Sequence, residues 1–163
     1  EAKVNANAPP AEADPVSLRR DRDQNPSRDR LARMLRKHGV REREVRGDGN
    51  CQFRALADQL YGSEEHHGTM RELVVKQLLE GRDRYSGFVP GGYQEYAAAM
   101  ARDGTWGDHV TLQAAADALG VRINVLTDYI TDGFIEVLPQ PQKSDKILRV
   151  SFWQEVHYNS VAE

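Results

Sequence analysis

Cys51 is the only cysteine in the chain, and it follows the turn-forming stretch Gly47-Asp48-Gly49-Asn50 and opens the helix-prone run Cys51 to Tyr61. A thiol becomes a competent nucleophile only as the thiolate, and the unpaired backbone NH groups of a helix N-terminus favour that form. The two glycines permit a tight turn, so the amides of Asp48, Gly49, Asn50 and Cys51 can converge on the oxyanion of a tetrahedral intermediate if the turn orients them beforehand. At the other end of the chain Val156-His157-Tyr158-Asn159 reads as a strand. Side chains two apart on a strand project from the same face, which makes His157 and Asn159 neighbours. An Asn amide there can accept from one imidazole nitrogen and leave the other to take the thiol proton. Each residue alone has a plainer reading: a packing cysteine, a half-buried sheet histidine, an edge or turn asparagine. Their conjunction, Cys then His then Asn, points to nucleophilic acyl chemistry.

The elements that must position these groups follow from periodicity. Ser27 is an N-cap candidate after Pro26. Leu31, Met34 and Leu35 fall at helical spacing, His38 extends that face, and Gly39 closes the helix. A short extended piece runs from Glu42 to Val45, ahead of the glycine turn. Three further helices are expected with Met70, Leu73, Val74 and Leu78 inward, then Tyr93, Tyr96, Ala97 and Met100, then Leu112, Ala115, Ala116 and Leu119 before the stop at Gly120. The period then changes. Ile123 and Val125 alternate with polar neighbours, Phe134 to Leu138 follows the turn Thr131-Asp132-Gly133, Ile147 to Phe152 is rich in strand formers, and a last strand runs through Val156 to Val161. Helices followed by mostly sequential strands, with no internal repeat, predict an α+β domain.

A chain of 163 residues with 39% hydrophobic and 29% charged residues fits one domain plus a tail. Residues 1 to 26 hold four of the seven prolines and, among large aliphatics, only Val4, Val16 and Leu18. They are read as a flexible tail, leaving 27–163 as the domain. The net charge of −3 includes no sustained basic run, so nucleic acid is not an expected partner. No apolar stretch approaches the ~20 residues that span a bilayer, and none near the start resembles a secretion signal, so neither a membrane nor secretion is expected. A single cysteine cannot form an internal disulfide or a multi-cysteine zinc site and suits a reducing compartment, cytosol or nucleus. His66-His67 lack a metal-ligand set and read as a solvated helix start. Trp153, after Phe152, is expected to pack on the core.

Asp48-Gly49-Asn50-Cys51 followed by Gln52-Phe53-Arg54-Ala55-Leu56 resembles the nucleophile motif of the ovarian tumour (OTU) family, and His157-Tyr158-Asn159 resembles its C-terminal histidine motif. Trp106-Gly107-Asp108-His109 leading into Leu112-Gln113-Ala114-Ala115 extends the resemblance, which covers roughly residues 30 to 161. The resemblance implies a papain-like OTU cysteine protease fold, with a small central sheet between helical layers. It implies hydrolysis of the isopeptide bond joining ubiquitin's C-terminal glycine to a lysine, with ubiquitin or polyubiquitin as partner, a monomeric state and no metal or organic cofactor. By position, Cys51 attacks the carbonyl, His157 abstracts and later donates a proton, and Asn159 orients the imidazole where many relatives have aspartate. In the family the backbone at Asp48 helps shape the oxyanion site, and some members count its carboxylate as catalytic, so Asp48 and Asn159 both stand as third-residue candidates. Trp106, Gly107, Asp108 and His109 would border the substrate cleft, with Asp108 meeting the arginines of ubiquitin's tail or, alternatively, capping the next helix. Two other functions compete: a catalytically silent ubiquitin-binding scaffold, which would show a damaged motif where none is damaged here, and a protease for a ubiquitin-like modifier. Deleting residues 1–26 should leave the thermal midpoint nearly unchanged in a calorimetric scan; a large loss would show that this segment docks on the domain.

Overall fold

The computed structural model describes residues 26–128, 134–153 and 157–163. Apart from Pro26, the expected tail lies outside the described residues, as do the turn Thr131-Asp132-Gly133 and Val156. Helix α1 (Pro26–Lys37) already includes Pro26, whose fixed φ suits the first turn of a helix. Ser27, expected as a cap, instead accepts a hydrogen bond from Trp153 Nε1 at 2.8 Å. Gly39, at φ +67°, ends the helix, with Val40 N donating back to Leu35 O at 3.0 Å. His38 therefore falls beyond the last helical turn and is exposed, not part of the inward face.

Strand β1 (Arg41–Arg43) precedes helix α2 (Cys51–Tyr61), and α3 (His67–Glu80) starts at the expected histidine pair. A short helix α4 (Arg82–Tyr85) and a 3-10 turn (Ser86–Phe88) come next. These two are too brief to leave a periodic signal in the sequence. Helices α5 (Tyr93–Met100) and α6 (His109–Leu119) match the expected patterns, with Gly120 at φ +66° as the stop. The strands β2 (Arg122–Thr127), β3 (Ile135–Val137), β4 (Ile147–Trp153) and β5 (His157–Ala162) complete one five-stranded sheet ordered β1-β5-β4-β2-β3. β2 and β4 are parallel and the other pairs antiparallel. β3 is shorter than the expected Phe134 to Leu138 because its end residues leave the ladder with β2.

Two apolar clusters sandwich the sheet. The larger joins Phe53, Leu56, Met70, Val74, Leu78, Ala115, Ile123 and Leu148, and the smaller joins Leu31, Met34 and Leu35 of α1 to Leu126, Val161 and Trp153. This second layer sets β2 between helices, as the resemblance implied: Asn124 and Leu126 are buried as well as Ile123 and Val125, because α1 covers the face that alternates with them. Helix α2 is tied to the sheet by Gln59. Its Nε2 donates to Ser160 Oγ at 2.7 Å and Val161 O at 2.8 Å, and its Oε1 accepts from Arg149 N at 2.9 Å. Residue 51 and β5 are thus held together across some hundred residues of intervening chain. Leu31, fully buried, anchors α1. Leu31→Ala is expected to cost about 3 kcal/mol of unfolding free energy, read by urea denaturation; a loss below about 1 kcal/mol would mean that α1 contributes little to the core.

Candidate active site

Cys51 is the first residue of α2 and is buried, with 9% of the residue exposed. The preceding turn is built by charge. Asp48 accepts from Asn50 N at 3.0 Å and is forked by Arg54, with Nε at 3.1 and 3.2 Å and Nη2 at 2.9 Å. Burial opposes ionisation of Asp48, but the bonds from Arg54 and the Asn50 amide outweigh it and hold its pKa below the usual carboxylate value. The Asp48 carboxylate thus organises its own turn. Of the four amides expected to meet an oxyanion, that of Asn50 is turned to the Asp48 carboxylate, and that of Cys51 leans on Asp48 O at 3.3 Å. The amides of Asp48 and Gly49 have no hydrogen-bond partner among the described residues.

The turn is locked from behind by residues that sequence reasoning did not single out. Asn50 Oδ1 accepts from Arg71 Nη2 at 2.6 Å and from Gly104 N at 2.9 Å. Arg71 is buried, donates to Met100 O at 3.0 Å and stacks 4.1 Å over Phe53. Burial pulls its pKa down. Gly49 has to be glycine because a Cβ there would run into the Gly104 carbonyl. Gln52 makes the second lock: Nε2 donates to Asp108 O at 3.0 Å and Oε1 accepts from Thr111 Oγ1 at 2.6 Å. A Cβ at Gly107 would strike this Gln52 amide, so the segment from Trp106 to His109 lies directly against the nucleophile helix. Asp108 caps α6 in a reciprocal box with Thr111, and Tyr96 donates to both its oxygens at 2.9 and 2.8 Å. Its carboxylate is therefore engaged within the chain, while Trp106, 48% exposed, and His109 face solvent beside it.

On β5, His157 Nε2 lies 2.8 Å from Asn159 Oδ1. Val45 N also donates to that oxygen, at 3.0 Å, and a backbone NH can only donate. The amide orientation is fixed accordingly, so Nε2 of a neutral His157 carries the proton and Nδ1 is the basic nitrogen. Burial pushes the Cys51 pKa up, and the Asp48 charge adds to this; the amides of Tyr158, Gln52 and Cys51 pull the other way without reversing it. A helix N-terminus alone, as the sequence suggested it, does not make this thiolate. Tyr158, stacked on Phe152 with ring centroids 4.3 Å apart, is likewise pushed up by burial to about 12 and stays neutral at the site.

Residues 46–160 match the family described as OTU-like cysteine protease. The chain belongs to that family. It is 54% identical over 133 residues to OVARIAN TUMOR DOMAIN-containing deubiquitinating enzyme 9 of Arabidopsis thaliana, covering 82% of this chain and 39% of that protein. It is 52% identical over 132 residues to deubiquitinating enzyme 12 of the same plant, covering 81% and 60%. The chain thus spans less than two thirds of the length of these relatives. In fold it resembles the OTU domain of OTUD1, with TM-score 0.72 and 23% identity over 83% of this chain and 93% of that one. It also resembles an OTU domain solved in complex with ubiquitin, with TM-score 0.62 and 22% identity over 76% and 69%. The expected papain-like α+β OTU fold is the fold found.

Arg71 escaped the sequence reading, and Gln52 and Arg54 entered it only as part of the motif, because their contacts join residues far apart in the chain or outside helical and strand periods. The only signal was polar residues beside inward positions. The raised thiol pKa has a direct consequence for OTU-family Cys51. In His157→Ala, alkylation by iodoacetamide should need pH above the ordinary cysteine range, whereas the unsubstituted protein reacts near neutrality. Equal rates at pH 7 would show that His157 does not draw off the thiol proton.

Proposed function

We propose that the chain is a deubiquitinase that cleaves the isopeptide bond between ubiquitin's C-terminal glycine and a lysine amine. The observation that carries the reading is the His157–Asn159 contact with its amide orientation fixed by Val45, which turns Nδ1 into the base for a thiol at a helix start. The names of the relatives, deubiquitinating enzymes 9 and 12, supply the substrate class. His157 Nδ1 takes the Cys51 proton, and the sulfur adds to the glycine carbonyl. The resulting oxyanion is met by the backbone amides of Asp48 and Gly49. The imidazolium then gives its proton to the departing lysine nitrogen, the C–N bond breaks, and a thioester remains. His157 deprotonates water, which attacks the thioester, releases ubiquitin's carboxylate and returns the proton to sulfur.

Asn159 is the third residue in this scheme, since it contacts His157 while Arg54 and Asn50 engage the Asp48 carboxylate. Trp106 and His109, exposed beside the nucleophile helix, border the bound tail of ubiquitin. A single thiol that must stay reduced supports a reducing compartment, cytosol or nucleus, as the setting of this activity.

The test is steady-state cleavage of lysine-linked diubiquitin. Cys51→Ala should abolish turnover while retaining ubiquitin binding. Asn159→Ala should lower kcat about 10- to 100-fold with KM little changed, because its hydrogen bond matters most while the imidazole is charged. Asp48→Asn, which keeps a hydrogen-bonding side chain in the turn, should cost less. Undiminished turnover in Asn159→Ala would reduce the triad to Cys51 and His157, and turnover by Cys51→Ala would end the thiol mechanism.

A further inference from the structure

Asn159 is a neutral third residue, and a neutral amide stabilises an imidazolium less than a carboxylate does. The charge missing from Asn159 lies one residue further on. Glu42 of β1 stands opposite Val161 in the β1–β5 register, Asn159 is two residues from Val161, and Ser151 of β4 stands opposite Asn159. All four side chains therefore share one face of the sheet. The Glu42 side chain is only 8% exposed. Its carboxylate receives Arg28 of α1, Nη1 to Oε1 at 2.9 Å and Nη2 to Oε2, and Ser151 Oγ at 2.6 Å. The Asn159 side chain, directly opposite Ser151 on the same face, lies close enough to help hold that carboxylate charged. Since Oδ1 of Asn159 is already turned to Val45 N and His157, the group that reaches Glu42 is the Asn159 NH2.

A buried charged carboxylate is costly unless it is paired, and an apolar pair would stabilise such a place as well or better. The placement of this one, at the far end of the amide that holds the base, gives it a use. We propose that Glu42 is a positioning residue of the catalytic site: it holds the Asn159 amide with Oδ1 towards His157 and, through that amide, lends negative charge to the imidazolium. The inference rests on the thiol-protease reading of Cys51 and His157. Burial works against ionisation of Glu42, but Arg28, Ser151 and Asn159 outweigh it and keep the carboxylate charged. The other ionisable groups near this chain of contacts are Glu44 beside Arg28, and Cys51 and Asp48 on the nucleophile side, where Asp48 is paired with Arg54.

The experiment is an NMR titration of the His157 ring in 15N-histidine-labelled protein, run beside the pH dependence of kcat/KM on diubiquitin. In Glu42→Gln the His157 midpoint should fall by about 0.5–1 pH unit, since a stabilising anion has been removed from the charged form. The acid limb of the rate profile, where neutral His157 becomes available as the base, should move the same way. A purely structural Glu42 would lower the melting temperature and leave the His157 midpoint in place, which would overturn the proposal. A second background keeps the test sharp if Glu42→Gln folds poorly. Asn159→Asp sets a carboxylate against both His157 and Glu42, so adding Glu42→Gln there should raise activity by removing a like-charge contact, the reverse of its effect in the parent. Losses of the same sign in both backgrounds would overturn the proposal. A parent protein inactive on diubiquitin would remove the protease reading, while the His157 titration still decides the coupling to Glu42.

Discussion

A side-chain amide has two unlike ends, and at Asn159 both are held. The Val45 amide claims the oxygen, so the orientation is not free to flip, and the same oxygen then accepts from His157 Nε2. This one constraint decides which imidazole nitrogen is basic. It depends in turn on the pairing of β1 with β5, which brings the chain just after Arg43 alongside Asn159. The α1 layer supports that pairing from its own side of the sheet through Arg28, which grips Glu42.

The nucleophile is presented by a different device. Its turn is held by a buried polar network, Asp48 with Arg54 on one side and Asn50 with Arg71 and Gly104 on the other, rather than by apolar packing alone. Such a network favours one geometry because breaking its bonds leaves further buried polar groups without partners. The sulfur itself is buried against the core cluster, and that burial raises the thiol pKa more than the neighbouring backbone amides lower it. The low-dielectric surroundings that penalise an isolated thiolate strengthen its attraction to an adjacent imidazolium. On the proposed reading the thiol gives its proton to His157, and the two act as a pair.

What was legible in the sequence is local. Periodicity gave helices α2, α3, α5 and α6 and the strand spacing that makes His157 and Asn159 neighbours, and glycine spacing marked the turn before Cys51. What was not legible is carried by contacts over long sequence separations. The amide of Val45 reaches Asn159 across 114 positions and Ser151 reaches Glu42 across 109, with nothing local to announce either. Alternation along β2 reports the residue types on a strand, not which helix returns to cover each face. Asp48 and Asp108 show the opposite case. Their type and place left two readings open, catalysis or substrate contact on one side and a turn or helix cap on the other, and the folded chain uses both carboxylates to organise backbone at a turn and at a helix start.

The assembled picture is a thiol held in check by burial, a base oriented by an asparagine, and a substrate that supplies the carbonyl. Its most direct test is intact-mass analysis after incubation with ubiquitin bearing an electrophilic group at its C-terminus. A single adduct of one ubiquitin should form on Cys51, vanish in Cys51→Ala and form much more slowly in His157→Ala. No adduct on the parent protein, or one that forms equally fast without His157, would contradict the assignment of Cys51 and His157 as nucleophile and base acting on ubiquitin.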